Sequence, residues 1–253
     1  MNPFFFGDNK NLFGIYHSPG AERDLRTSVL ICNPIGHEYI RSYQVVRRLA
    51  KRLSSEGYHV LRFDYSCTGD SHGESTSADL LAWYSDIDTA AKELMEISGS
   101  ENLLQIGIRL GATLLVNLSS EGYKPDASRT ILWDPVISGE DYLDKMQAMH
   151  REMSEDANRY LIYDDKNVSA KYEWLGYKYN EKLLEQLKRL SFSSGSLHNV
   201  SVISTVGEHY NDFDTSRLHI ETVKENCNWD DINKIEDFIL VKELPDYIVK
   251  AVK

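Results

Sequence analysis

"LLQIGIRLGATLL", Leu103 to Leu115, joins an apolar run of strand length, a glycine-flanked turn and the start of a helix. Its centre, Gly107-Ile108-Arg109-Leu110-Gly111, has the frame of G-x-S-x-G, a sharp strand-to-helix turn built to expose a nucleophilic serine. Arginine occupies the middle position here, and a guanidinium offers N–H donors but no atom that can attack a carbonyl. The stretch therefore predicts the topology around it and raises the question of what its turn is for.

Outward from that unit, strands and helices alternate, the signature of a largely parallel sheet covered on both faces. "SVLICNP" (Ser28 to Pro34), "YHVLRFDY" (Tyr58 to Tyr65), "RTILWDPVI" (Arg129 to Ile137), "NVSVISTVG" (Asn199 to Gly207) and "LHIETVKEN" (Leu218 to Asn226) read as strands. Between them, "RSYQVVRRLAKRLSSEG" places Val45, Leu49 and Leu53 at helical spacing, and "STSADLLAWYSDIDTAAKELMEI" predicts a long helix with Ser, Thr and Asp at its start. From 138 to 190 the pattern turns helical, charged and tyrosine-rich with no convincing central strand, as expected of a lid inserted into one domain spanning 1–253. "KIEDFILVKELPDYIVKAV" closes the chain as an expected helix interrupted near Pro245.

Composition narrows the function. A chain of 253 residues with 42% hydrophobic content suffices for one well-buried α/β domain. A net charge of −11 without a Lys/Arg run argues against a nucleic-acid partner. No stretch reaches the roughly 20 apolar residues of a membrane span, and "MNPFFFGDNKN" lacks the features of a signal peptide, so a cytoplasmic protein with no membrane partner is expected. The three cysteines, Cys32, Cys67 and Cys227, suit neither a disulfide framework nor a zinc ribbon. No metal-ligand spacing and no phosphate-binding glycine-lysine loop is present, so no metal and no cofactor is expected.

Four stretches, "NPIGHEYIRSY", "VLRFDYSCTGDSHG", "GIRLGATL" and "LWDPVISGEDYL", in this order and spacing, resemble a branch of the α/β-hydrolases, the serine-aminopeptidase-like proteins. The final "NCNWDDINKIEDFILVKELPDYI" is similar to the end of the same proteins. Members accompany polyketide or nonribosomal peptide clusters and exosortase systems, and an arginine at the elbow is a feature of the branch. The resemblance implies the α/β-hydrolase fold and a place in natural product biosynthesis.

An active protein of that fold needs a serine, an acid and a histidine. Arg109 stands at the serine's place. Glu208, Asp212 or Asp214 in "GEHYNDFDT" could supply the acid, but the segment where the histidine is expected offers Asn228 and Trp229. A degenerate triad follows, and removing its members costs several orders of magnitude in rate. One catalytic route is a displaced nucleophile: Cys67, after a central strand, with His37 or His209 as its base. The competing reading makes Cys67 a small loop residue.

Arg109 itself should attract an anion, because its charged planar fork sits at a helix N-terminus. That anion is either a ligand carboxylate or an internal one, with Glu38 and Asp64 as first candidates and Asp134 of "LWDP" as a third. Arg109, Leu110, Glu38 and Asp134 are thus the expected substrate-binding set. Two functions stay open: a protein processing a small-molecule acyl, peptidyl thioester or carboxylate ligand, free or borne by a carrier protein, and a pseudohydrolase that binds a metabolite or partner without turnover. An open cavity bounded by Cys67, His37 and Arg109 would favour the first; a closed Glu38–Arg109 bridge and no cavity, the second.

Overall fold

The computed structural model describes residues 1–20, 22–123, 126–156, 172–192, 199–206 and 218–252. Eight strands form its central sheet: β1 (Asn2–Phe6), β2 (Leu12–His17), β3 (Thr27–Cys32), β4 (His59–Phe63), β5 (Asn102–Ile108), β6 (Ala127–Trp133), β9 (Val200–Ser204) and β10 (His219–Thr222). They lie in the order β1-β2-β4-β3-β5-β6-β9-β10. From β4 to β10 every pairing is parallel, while β1 and β2 run antiparallel at one edge.

Both faces are covered, which explains the unbroken apolar runs of the central strands. In β3, Leu30 and Cys32 belong to one core cluster and Val29 and Ile31 to the other. Helices α1 (Gly36–Ser55) and α6 (Leu244–Ala251) bury their apolar stripes on one side, Val45, Leu49 and Leu53 meeting the same core cluster as Ile248 and Val249. Helices α2 (Leu80–Ser98), α3 (Leu110–Asn117), α4 (Gly139–Glu155) and α5 (Glu181–Lys188) contribute to the other. Asp79 caps α2, its carboxylate accepting the Leu81 N–H at 3.0 Å, and Gly99 ends it in the left-handed conformation.

Among the described residues between β6 and β9, the strands β7 (Glu173–Trp174) and β8 (Tyr177–Lys178) form a separate short hairpin ahead of α5 and add nothing to the central sheet. Two expectations need correction. Pro245 does not interrupt a helix but starts one, in the first turn of α6, where a missing N–H costs nothing; the preceding residues form a 3-10 turn (Ile232–Lys234) followed by irregular chain with bends. The helix after β3 begins at Gly36, bringing His37 and Glu38 into its first turn. Among the described residues, no helix is long and apolar enough to cross a membrane.

Candidate functional site

β5 ends at Ile108 and α3 begins at Leu110, so Arg109 alone makes the turn, with φ 52° and ψ −119°. No non-glycine residue adopts that conformation without strain, and such strain concentrates at functional positions. The flanking glycines are required by contact: a Cβ on Gly107 would sit 2.4 Å from the Ala112 Cα, and one on Gly111 would sit 2.3 Å from the Cys32 carbonyl oxygen. The elbow geometry is thus present with the wrong side chain for nucleophilic attack. Leu110, expected beside the substrate, is fully buried in the core cluster under the elbow.

The guanidinium of Arg109 is closed in on several sides. Its Nε–H donates to Glu38 Oε1 at 2.8 Å, and an Nη1–H donates to the Asp134 carbonyl at 3.2 Å. Asp230 lies 3.7 Å from Nη2, and the rings of Trp229 and Tyr142 lie 5.3 and 5.9 Å from the guanidinium carbon. Tyr142 donates its hydroxyl to the second Glu38 oxygen at 3.1 Å, so both carboxylate oxygens are occupied. Side-chain exposure is 9% for Arg109 and 1% for Glu38. Burial works to lower the Arg109 pKa, but Glu38 and then Asp230 outweigh it and hold the group above its ordinary range, so it is permanently charged.

Asp134 meets Arg109 through its backbone only. The carboxylate turns to the other side, accepting the Thr205 N–H at 2.7 Å, the Thr205 hydroxyl, and the Trp229 Nε1–H at 2.8 Å. This Asp–Trp bond has the form by which an acid orients a general base, but an indole N–H only donates and cannot take up a proton. Arg109, Trp229 and Asp134 are thus linked in series, with an indole rather than an imidazole beside the Asp134 carboxylate.

Of the displaced-nucleophile residues, the described pair Cys67 and His37 line different cavities. Cys67, half-buried with φ 62°, lines a cavity together with Pro34, Tyr39 and Trp83. His37 lines a different cavity, with Arg41, Met153 and Phe238, and Arg109 lines neither. Burial, then Asp86 and Glu74, push the Cys67 thiol upward, the reverse of what a thiolate needs. His37 is buried with both ring nitrogens unpartnered, and burial lowers its pKa, keeping it neutral. His209 and the candidate acids Glu208, Asp212 and Asp214 lie outside the described residues. Asp64 serves its own loop, accepting from the Tyr39 hydroxyl at 2.7 Å and the Asp70 N–H at 3.0 Å. Among the described residues no group of three or more His, Cys, Asp or Glu side chains could hold a metal ion.

Tyr142, Asp230 and the Asp134–Trp229 bond were not anticipated from the sequence. Tyr142 had one available signal, since Ser138 caps α4 and Tyr142 lies one turn inside it, on the helix that follows the strand next to the elbow.

The parallel sheet with its strand–elbow–helix unit defines the α/β-hydrolase fold. The sequence profile described as "Serine aminopeptidase, S33" matches residues 26–192. The chain belongs to this serine aminopeptidase S33 family. Similar solved structures include Est1E from Butyrivibrio proteoclasticus, at 12% identity and TM-score 0.61, covering 100% of this chain and 99% of that one. The proline iminopeptidase-related protein from Thermus thermophilus aligns at 14% identity and TM-score 0.60 over 99% of this chain and 96% of its own. The esterase EaEST from Exiguobacterium antarcticum gives 14% and 0.58 over 95% of both chains. At these identities the likeness is one of fold. Comparison with curated proteins gives no match.

Proposed function

We propose that this chain is an α/β-hydrolase family member that binds its ligand without hydrolysing it. The observation that carries this reading is the buried Arg109–Glu38 pair, 2.8 Å apart at the elbow, which fills the nucleophile's place with a satisfied charge. Trp229 on Asp134 adds to it, because the group held by the acid has no basic lone pair. Cys67 gives little support to a relocated mechanism: its thiol is pushed up and no described histidine shares its cavity. The ligand is a small acyl or carboxylate metabolite, free or presented on a carrier protein, in a biosynthetic setting of the kind that the branch resemblance implies.

The test is incubation with an acyl-pantetheine thioester and with p-nitrophenyl acetate, following free-thiol or nitrophenol release and intact protein mass. The expected result is release at the buffer rate and no adduct, in the wild type as in Cys67→Ala. Turnover or an acyl adduct that disappears in Cys67→Ala overturns the reading.

A further inference from the structure

The chain between the 3-10 turn and α6 is tied down along α1. Arg41 Nε–H donates to the Asp237 carbonyl at 3.2 Å, the Ile239 N–H donates to the Arg41 carbonyl at 2.9 Å, and Arg48 donates to the Val241 carbonyl at 2.6 Å. Held there, Phe238 to Val241 alternates: Ile239 and Val241 belong to the core, while Phe238 and Leu240 face water. Leu240 is 84% exposed. α1 adds the exposed Ile40 and Tyr43, one turn apart, to the same side of the molecule. Four of the eight large hydrophobic side chains exposed among the described residues thus lie on these two elements, and the others, Met1, Phe5, Leu81 and Ile97, are at the N-terminus and on α2. Single exposed hydrophobics are ordinary, but a patch of them marks a surface that is covered.

A groove of about 340 Å³ adjoins this patch. Met153, Leu175, Tyr177 and Ile235 give it apolar walls, and Ile40 and Phe238 belong to the groove and the patch alike. Leu240 lies two residues beyond Phe238, about 7 Å along an extended chain. A protruding leucine therefore stands next to an apolar hollow, and its own segment, pinned to α1, keeps it from folding in. A two-fold axis between knob and hollow places each leucine in the groove of a second copy, the self-complementary contact of a symmetric dimer.

Charge favours the same arrangement. The segment runs with α1, from Asp237 beside Arg41 to Val241 beside Arg48, so the exposed Glu236 and Asp237 lie towards the start of the helix. Towards its end, Arg47 and Lys51 are exposed and pair with no carboxylate among the described residues. Inverted by the two-fold, the basic end of one copy faces the acidic end of the other. A lipid surface or partner of a single negative sign would meet repulsion at one end. Two copies of net charge −11 repel over most of their surface, so their contact needs a face that carries cations. We infer that the face formed by α1 and the segment 236–241 binds a second copy of this chain, with Leu240 of each seated in the groove of the other.

Sedimentation velocity of the full chain, from about 1 to about 100 μM, tests this; a species of twice the 29.0 kDa chain should predominate at the upper end, with nothing larger because a two-fold contact closes. Leu240→Glu and Ile40→Lys alter exposed positions and should leave the circular dichroism spectrum unchanged. Each should weaken the dimer at least about 100-fold, since every interface carries the change twice. An equimolar mixture of the two variants should associate at least about ten-fold more tightly than either alone, because the new carboxylate at position 240 meets the new ammonium at position 40 and the second knob and groove remain intact. A wild type still monomeric at the upper concentration, a dimer indifferent to either variant, or a mixture no more associated than its parts overturns the inference. So does binding of monomeric wild type to phosphatidylglycerol vesicles that Leu240→Glu abolishes, which assigns the face to a lipid surface.

Discussion

Arg109 and Glu38 are each acceptable in the interior only because of the other. Removing one partner of a buried pair leaves an uncompensated charge, whereas replacing both with apolar groups of similar volume is often tolerated. Arg109→Met is therefore expected to destabilise the fold by about 3–5 kcal/mol in urea unfolding, and the double variant Arg109→Met/Glu38→Met by clearly less. Equal losses in the single and double variants would show that the pair carries no coupling. A second residue, far from the elbow, sets a pH dependence. His17 on β2 is 4% exposed, and burial, followed by the Arg62 guanidinium, depresses its pKa from 6.5 to about 4. The unfolded chain binds that proton at the higher value, so between pH 6.5 and 4 the unfolded state holds more protons than the folded one. Stability is then full above this window, falls as the pH falls through it, and stops falling on this account below it. The urea midpoint of the wild type should decline across that window more steeply than that of His17→Gln, and parallel profiles would remove His17 as the cause.

The strand–elbow–helix unit is where the sequence speaks most directly, because its requirements are local and steric. Gly107 and Gly111 each meet backbone atoms that cannot move aside, so Gly107→Ala and Gly111→Ala should each cost at least about 2 kcal/mol, within the range for forced overpacking. Gly20, around which a Cβ would meet nothing within 4 Å, is the control, and Gly20→Ala should stay within about 0.5 kcal/mol of wild type. Thermal or urea unfolding of the three variants decides the point. The same locality explains which elements were legible. β3, β4, β5 and β6 announce themselves by largely apolar runs, and α2 by the Ser, Thr and Asp at its start. Near Pro245 the sequence reading fails, because periodicity does not distinguish a proline that breaks a helix from one that opens it. The β7–β8 hairpin is too short for any two-residue alternation to register. Of the site, the Glu38–Arg109 pair is legible because adjacent parallel strands bring their loops to one sheet edge. Where Asp134 points is not legible, since the answer lies with Trp229, 95 residues further on.

At the scale of the molecule, the site depends on how the C-terminal segment is fastened to the first helix, and Arg41 does this. It is 3% exposed, and its side chain donates to the carbonyls of Asn228 at 2.8 Å, Trp229 at 3.1 Å, Asp237 at 3.2 Å and Cys227 at 3.4 Å. Its own carbonyl accepts the Ile239 N–H at 2.9 Å, and Arg48, two turns on, donates to the Val241 carbonyl at 2.6 Å. One side chain thus holds the residues on both sides of Trp229, and with them the ring over Arg109 and the bond to Asp134. Hydrogen bonds from a charged donor contribute about 1.5–3 kcal/mol each, but bonds sharing one guanidinium are not additive. Arg41→Met is therefore expected to cost at least about 2 kcal/mol, and the loss should be local before it is global. In native-state hydrogen exchange, the Ile239 amide should exchange much faster in the variant, while Ile106 in the middle of β5 keeps its protection. The site should loosen with the segment: the contribution of Trp229 to the fluorescence spectrum should shift to the red as its ring gains water. If Ile239 and Ile106 lose protection in proportion, Arg41 is an ordinary core residue; if only Ile239 responds, the C-terminal segment is a separate cooperative unit, fastened to the first helix through Arg41.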